Sequence, residues 1–463
     1  MPKGRVRRVQ DSVHGLMEFR GMESLVIDVL RTPELQRLRR IRQLGLAHLV
    51  FPGAEHSRLT HSLGAAWLAV RFGRQLIEAA RDFLIQTLAP SSLSVRDLAV
   101  AALCHDLGHG PLSHAFEREV IDDPYPFDAW ATKLGIPEEE RRELRGSGWH
   151  ELVTAGLLAW PEGQLHQLLE ADEVHFSDRI RLMLRGKYYP PYLPRLLASD
   201  IDVDRLDFVR RDTHQTGVAY GKYDLDWLVS TCTVGKTDNG DLVVGFDSRK
   251  AIRGIEQFLI ARAALYDTVY HHKTVRSAEG MVGLFLKRLK DATRAGIVLP
   301  SGGLAEPYVK LLSGETLGFR ELLHLDDFSL SVLIEVMATT SVDDETVRDL
   351  GQRILARDLF KVVPVDRRRL GEYLRRPDAY SRLHAAIQPF CRGRAEYYIV
   401  VDETNVRMLS DDPGEMAYVI DEDRRAVPIR DHDIFRDYWK PQEGLRIFTL
   451  AEAVAAVKAI IEH

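Results

Sequence analysis

Apolar positions recur at helical spacing through most of the chain, and strand-like alternation is confined to short stretches in the middle and near the end. From Arg31 to Gly45, RTPELQRLRRIRQLG sets Leu35, Leu38, Ile41 and Leu44 near one side and arginines opposite, with Pro33 suited to a helix start. This predicts a basic amphipathic helix. Ser94 followed by Asp97 forms a capping-box pattern, with Asp in place of the usual Glu, and Leu98, Ala102 and Leu103 carry an apolar face up to His105 and Gly108. His105-Asp106 is therefore expected at a helix end. In EHSRLTHSLGAAWLA the apolar run resumes just past His61, which places that side chain in the first turns of a buried helix.

Thr231 to Asp247, TCTVGKTDNGDLVVGFD, alternates β-formers around Asn239-Gly240 and predicts a hairpin. Helical patterning resumes from Arg249 to about Ala295, with Ile255, Leu259, Ala263 and Tyr266 on one stripe. Short strands are expected at Tyr397 to Asp402, Ala417 to Asp421 and Ala426 to Arg430, before a last helix from about Leu450. The expected class is mainly α, with accessory helices, a β-hairpin and a small mixed α/β C-terminal region. Four regions follow: 1–50 with the basic helix, a core over 51–230, a hairpin and helical region over 231–390, and the mixed region over 391–463.

Composition narrows the class. A hydrophobic share of 45% and a charged share of 28% over 463 residues describe a soluble globular protein of two or three domains, not a disordered chain. A net charge of −6 does not advertise a nucleic-acid or membrane partner. Cys104, Cys232 and Cys391 lack ligand or disulfide spacing and read as reduced thiols. The basic start, Met1 to Gln10, leads into no apolar stretch of a secretory signal, and no window approaches a membrane span, so a cytoplasmic protein is expected.

The chemistry concentrates in four side chains: His61, the adjacent pair His105-Asp106, and Asp204. Their order and spacing are those of a divalent-metal site, and such nitrogen/oxygen donors suit manganese, iron, cobalt, nickel, zinc or, less comfortably, magnesium. HDLGHGPLSH packs three histidines and two glycines into ten residues, whereas a structural helix terminus needs one glycine and no histidine. SDIDVDRLDFVRRD holds aspartates at 200, 202, 204, 207 and 212, and a helix there brings Asp204, Asp207 and Phe208 onto one side. At least one aspartate is expected to face the metal.

DSVHG at Asp11, QRLRRIRQLG, FPGAEHSRLTHSLG, CHDLGHGPLSH, His150-Glu151, IDVDRLDFVRRD and the Tyr270-His271-His272-Lys273 segment together resemble the HD-domain metal-dependent phosphohydrolases. Within these, the chain is similar to the deoxynucleoside triphosphate (dNTP) triphosphohydrolase branch, the SAM-and-HD-domain enzymes and their bacterial relatives, over roughly its first 290 residues. The resemblance implies an HD helical core at 51–230, with 231–390 completing the nucleotide pocket. It makes His61, His105, Asp106 and Asp204 the metal ligands, and implies cleavage between the α-phosphorus and the 5′ oxygen, releasing a deoxynucleoside and intact triphosphate. His114 matches the proton donor, with Glu117 one turn on to orient it; His109 matches a phosphate contact and His150 a second active-site histidine. Arg58, Arg205 and Arg262 fall to the phosphates, since guanidinium grips two oxygens at once. Gln43 and Leu44 line the sugar pocket, Asp212 approaches the 3′ hydroxyl, and Tyr270 packs on the deoxyribose.

The same relatives assemble as dimers and tetramers, and some are activated by a bound dNTP or GTP. Gln36 and Arg39 match that activator region, while Arg31 stands where those relatives have Asp, and Tyr266 and His271 replace His and Gln. Two other readings stay open. One is a different HD phosphohydrolase, acting as a nucleotide phosphomonoesterase, cyclic-nucleotide phosphodiesterase or nuclease. No GYP follows the HD pair, and His150-Glu151 does not reach a second histidine at HExxH spacing. The other is a non-catalytic sensor of nucleotides or single-stranded nucleic acid that uses the arginines of 31 to 42 as a phosphate stripe.

Overall fold

The computed structural model describes residues 6–79, 94–112, 114–121, 126–297, 303–340, 342–412, 414–435 and 442–463; the side chains of residues 114, 115 and 442 are outside this description. Helices dominate, as the periodicity predicts, and sheets of two, four and three strands punctuate them. The Arg58–Ala79 helix is the pivot. It packs against the Val95–Cys104 and Val203–Thr216 helices and is buried nearly all round as far as Val70, beyond which Arg71, Arg74, Gln75 and Glu78 give it a polar face.

Two local signals fold as expected. Ser94 caps the Val95–Cys104 helix by accepting from the Asp97 backbone N–H at 3.2 Å, while its own hydroxyl donates to Asp97 Oδ1 at 2.6 Å. That helix stops at His105. Strands Cys232–Lys236 and Leu242–Asp247 form the antiparallel hairpin, with Val234 opposite Val244.

Other segments differ. The predicted helix from Arg31 to Gly45 is only an α-turn, Pro33–Gln36, followed by the 3-10 turn Arg37–Arg40. Leu35, Leu38 and Ile41 are buried as expected, but Ile41 is extended and the chain beyond it pairs with residues 56 to 58. Arg58 N donates to Ile41 O and Gln43 N to His56 O, both at 2.9 Å, bonds a continuing helix would lack. Arg37 also leaves the solvated face. It is buried and donates to the carbonyls of Leu107, His109 and Leu325.

The Ile252–Leu265 helix buries Ile255, Phe258, Leu259, Arg262 and Leu265, whereas Ala263 and Tyr266 are half-buried. Ala263 lies about 80° round a 3.6-residue helix from Ile255, at the edge of that face. Tyr266 opens a π-turn, Tyr266–Tyr270, before the Lys273–Arg294 helix.

Late strands appear at Ile399–Val406, Tyr418–Ile420 and Ala426–Pro428, with the last helix at Val454–Glu462. The periodicity does not reveal four further strands, Val6–Asp11, Gly15–Arg20, Lys361–Val362 and Gln442–Thr449. Nor does it reveal the joining of distant segments: Leu242–Asp247 pairs in parallel with Tyr418–Ile420.

Candidate metal centre and adjoining cleft

Three helices deliver the four predicted ligands to one place. Arg58–Ala79 carries His61 in its second turn, the end of Val95–Cys104 carries His105 and Asp106, and the first turn of Val203–Thr216 carries Asp204. His61 Nε2 lies 2.9 Å from Asp204 Oδ1, 3.3 Å from His105 Nε2 and 3.7 Å from Asp106 Oδ2. His105 Nε2 lies 3.5 Å from Asp204 Oδ1 and 3.4 Å from Asp106 Oδ1.

The donor set fits a divalent ion. His61 Nδ1 faces Asp207 Oδ2 at 2.9 Å and His105 Nδ1 faces Ala102 O at 2.7 Å. With those outer nitrogens donating, both Nε2 lone pairs are left to converge beside Asp204, the arrangement that orients metal-binding imidazoles. Two nitrogens each about 2.1 Å from one ion, at angles between a right angle and tetrahedral, stand roughly 3.0–3.4 Å apart. Burial opposes charge on His61, yet Asp204 and Asp207 outweigh it and push the imidazole up to about 10. Proton and metal therefore compete for one nitrogen. Burial likewise opposes ionised Asp204, but His105 and His61 hold it well below the usual carboxylate range.

Behind His61 stands a group that motif spacing did not single out. Asp207 is fully buried and accepts from His61, from His14 Nε2 at 2.6 Å, and from Arg211 at 2.8 and 3.0 Å. Arg211 in turn reaches Asp11 at 3.0 and 3.3 Å. Burial disfavours the charged carboxylate, but Arg211, His14 and His61 hold Asp207 well below its ordinary range. Gly64 makes the approach possible: a Cβ there would lie 1.9 Å from Asp207 Oδ1. The signal was present in the i, i+3 relation of Asp204 to Asp207, which puts one carboxylate on each ring nitrogen of His61.

A second cluster adjoins the first. Glu117 accepts from His150 Nδ1 at 2.9 Å and lies 3.3 Å from His109 Nδ1, and the two imidazoles stack with centroids 4.2 Å apart. His109 Nε2 is 3.4 Å from Asp106 Oδ1. Their environments push the pair apart. Burial and the Arg58 charge lower His109, whereas Glu117 overcomes burial to raise His150. The neutral form is thus favoured at one imidazole and the charged form at its neighbour, a separation that suits divided acid and base roles. Gly108 seats the intervening turn, since a Cβ there would lie 1.9 Å from His150 O. His114 begins the His114–Val120 helix, and its side chain lies outside the described residues.

Both clusters line a cleft of ≈ 750 Å³, together with Gln43, Arg58 and Phe208. Arg58 is buried and holds Asp106 in a short ion pair. Gln43 Oε1 is buried with no hydrogen-bond partner among the described residues. Arg181, Arg185 and Lys187, which sequence reasoning passed over, line the same cleft, with Arg181 on Glu140 at 3.0 Å and Arg185 on Glu143 at 2.9 Å.

The remaining predicted residues stand off the cleft wall. Tyr270 Oη donates to Asp212 Oδ2 at 2.7 Å, and His56 Nε2 bonds Asp212 Oδ1 at 2.8 Å. Tyr270 packs edge-on to Phe208 at 6.3 Å, so this knot lies one ring behind the lining. Leu44 is half-buried against the core. Arg205 pairs with Asp202 and donates to Ser199 O at 2.8 Å, and Arg262 is buried with Met408 O as acceptor at 3.0 Å.

Residues 58–154 match the family model for the HD domain. The chain is 28% identical over 398 residues to the uncharacterized protein YwfO of Bacillus subtilis, covering 86% of this chain and 79% of that protein. It is 26% identical over 371 residues to deoxynucleoside triphosphate triphosphohydrolase SAMHD1 of Bos taurus, covering 77% of this chain and 58% of the enzyme. For the human protein of the same name the figures are 26% over 370 residues, 77% and 54%. The chain thus spans little more than half the length of these curated enzymes. A phosphohydrolase from Bacteroides thetaiotaomicron shares the fold, with a TM-score of 0.74 at 23% identity, over 96% of this chain and 100% of that one. No helix among the described residues is long and apolar enough to cross a membrane. Residues 58–154 thus carry an HD domain, and over most of its length the chain is similar to proteins that include dNTP triphosphohydrolases.

Proposed function

We propose that this protein hydrolyses dNTPs to a deoxynucleoside and inorganic triphosphate, using a divalent ion held by His61, His105, Asp106 and Asp204. The observation that carries the reading is the convergence of two imidazole Nε2 atoms and the Asp204 carboxylate within 3.5 Å, beside a cleft that also holds His109 and His150. An ion bound there supplies Lewis-acid charge to a phosphoryl oxygen and favours deprotonation of water. Manganese, magnesium, iron, cobalt, nickel and zinc are all compatible with these donors.

The chain's own groups do the rest. Arg58, already fixed on Asp106, places a permanent positive charge at the cleft wall next to the ligands. Neutral His109 hydrogen-bonds a phosphoryl oxygen without adding charge. His150, kept protonated by Glu117, donates to another. The departing 5′ oxygen is a strong base, and general-acid help is worth about 10²–10⁴-fold; this task goes to His114 at the start of its helix. Arg205 and Arg262 exchange their present partners for the outer phosphates. Gln43 presents its unpartnered amide oxygen to the sugar, and Leu44, Asp212 and Tyr270 close the deoxyribose side, disfavouring a 2′ hydroxyl by clash and by leaving it unpaired. The proposal includes a homo-oligomer and an activating nucleotide near Gln36 and Arg39.

The test is to incubate metal-free protein with each dNTP, alone and mixed, with manganese, magnesium or cobalt restored, and to separate the products by ion exchange. Deoxynucleoside with intact triphosphate, abolished in His105→Ala, is the expected result. Monophosphate with pyrophosphate overturns the bond assignment, and absence of product in every mixture overturns the activity.

A further inference from the structure

At the far end of the helix that begins with Asp204 lies a separate cleft of ≈ 510 Å³. Arg210 and His214, four residues apart on its last turns, line it from one side, and Lys222 lines it from the loop that follows. Val13 and Tyr223 complete an apolar and aromatic wall, and no carboxylate lines the cleft. The loop is fastened to the helix, since Thr213 Oγ1 donates to Val209 O at 2.7 Å and approaches Gly221 O at 3.1 Å.

The surrounding acids are committed elsewhere. Asp207 and Asp11 are held by Arg211, Asp224 caps the next helix through the Trp227 N–H at 3.0 Å, and Asp226 pairs with Arg71 at 2.7 Å. None of Arg210, His214 and Lys222 has an ion-pair partner among the described residues. The backbone N–H groups from Val218 to Tyr223 likewise have no acceptor among them. Cations near a helix C-terminus gain from its dipole. That accounts for Arg210 and His214, but neither for Lys222 opposite them nor for the acid-free lining in a chain of net charge −6.

We propose that the Arg210–His214–Lys222 cleft is a binding site for a multiply charged phosphate anion, either a free polyphosphate or the phosphate tail of a nucleotide, distinct from the metal centre. Two permanent cations and an imidazole, with backbone donors beside them, match an anion that has several oxygens to satisfy. The cleft is large enough for a mononucleotide, and Tyr223, held by Phe258 and by the Leu206 carbonyl, gives it a fixed aromatic edge. This inference does not rest on the catalytic reading.

The test is calorimetric titration of the full chain, in chelator at fixed ionic strength, with inorganic triphosphate and separately with dAMP. Wild-type protein is expected to bind at least one of them. His105→Ala is expected to retain that binding, and Arg210→Gln/Lys222→Gln to weaken it by about tenfold or more, the worth of a charge-assisted hydrogen bond. The charge-keeping pair Arg210→Lys/Lys222→Arg is expected to retain most of the affinity. If the glutamine pair melts below the wild type, Lys222→Gln alone, on the exposed loop, is read in its place. Tighter binding of dAMP supports a nucleotide ligand, and tighter binding of triphosphate a free polyphosphate. Binding undiminished in the glutamine variants, lost in His105→Ala, or absent from the wild type with both probes overturns the proposal.

Discussion

His61 and Arg262 are both buried side chains with polar atoms to satisfy, and the protein treats them differently. His61 has a carboxylate on each ring nitrogen, and one of those, Asp207, is itself held by His14 and Arg211. Among the described residues Arg262 has a single carbonyl acceptor and no partner for its Nε. Arg205 is held more firmly, by the buried Asp202 carboxylate and the Ser199 carbonyl of its own turn. The candidate metal ligands are thus over-determined, and Arg262, proposed for the phosphates, is under-determined. A site that must hold one ion in fixed geometry gains from rigid supports, whereas arginines that release one oxygen to grip another need weak tethers.

Asp207→Ala attacks the rigid side most directly. It strands Arg211 in the interior and is expected to cost about 3–5 kcal/mol in urea unfolding. Metal affinity should also fall by about 10–100-fold in a chelator competition. Retention of wild-type stability and affinity would show that the contrast is false.

Gly64→Ala pushes on the same carboxylate from behind. The added Cβ cannot coexist with Asp207 Oδ1 at 1.9 Å, and a loss of about 1–3 kcal/mol is expected, with weakened metal binding in the same assay. Arg205→Gln tests the other side, where KM for dNTP is expected to rise about tenfold, and the melting temperature is expected to fall as well because the buried Asp202 loses its ion-pair partner. An unchanged KM would assign Arg205 to the Asp202 turn alone.

The smallest effect is a shift in pH response at the second cluster. His150 is raised by Glu117, so its contribution to stability is fully present below the unfolded value of about 6.5 and is lost as pH rises through the higher folded value. Glu117→Gln should therefore destabilise more at pH 6 than at pH 10, and should move the alkaline limb of kcat/KM to lower pH. Equal destabilisation at both pH values would sever Glu117 from the charge on His150.

What was legible in the sequence was local. The Ser94 cap, the stop at His105, the 239–240 turn and the burial of His61 follow from spacing within one or two turns, and all four are found. The helix expected over residues 31 to 45 failed because its continuation competes with pairing to residues 56 to 58, and because Arg37 seeks carbonyls 70 and 288 residues away. Hydrophobic spacing cannot encode such partners. For the candidate site, spacing pointed to His61, His105, Asp106 and at least one of five aspartates, and the resemblance chose Asp204, which does lie beside both imidazoles. His14, Asp11 and Arg211 were missed, because a support residue carries no donor pattern of its own and is defined only by what it touches.

The parallel pairing of Leu242–Asp247 with Tyr418–Ile420 has a consequence for synthesis. Asp200, four residues before a candidate ligand, accepts from the backbone of Ser410 and Ala417, and Arg262 donates to Met408. Those acceptors and donors leave the ribosome some 200 residues after Asp204, roughly tens of seconds later at ordinary elongation rates. For that interval the nascent chain holds its candidate metal-binding histidines without the segment that braces the residues just before the neighbouring helix. The helix beside the candidate centre therefore gains these braces only once residues 408 to 417 have emerged, and a metal ion captured earlier would meet a looser cage.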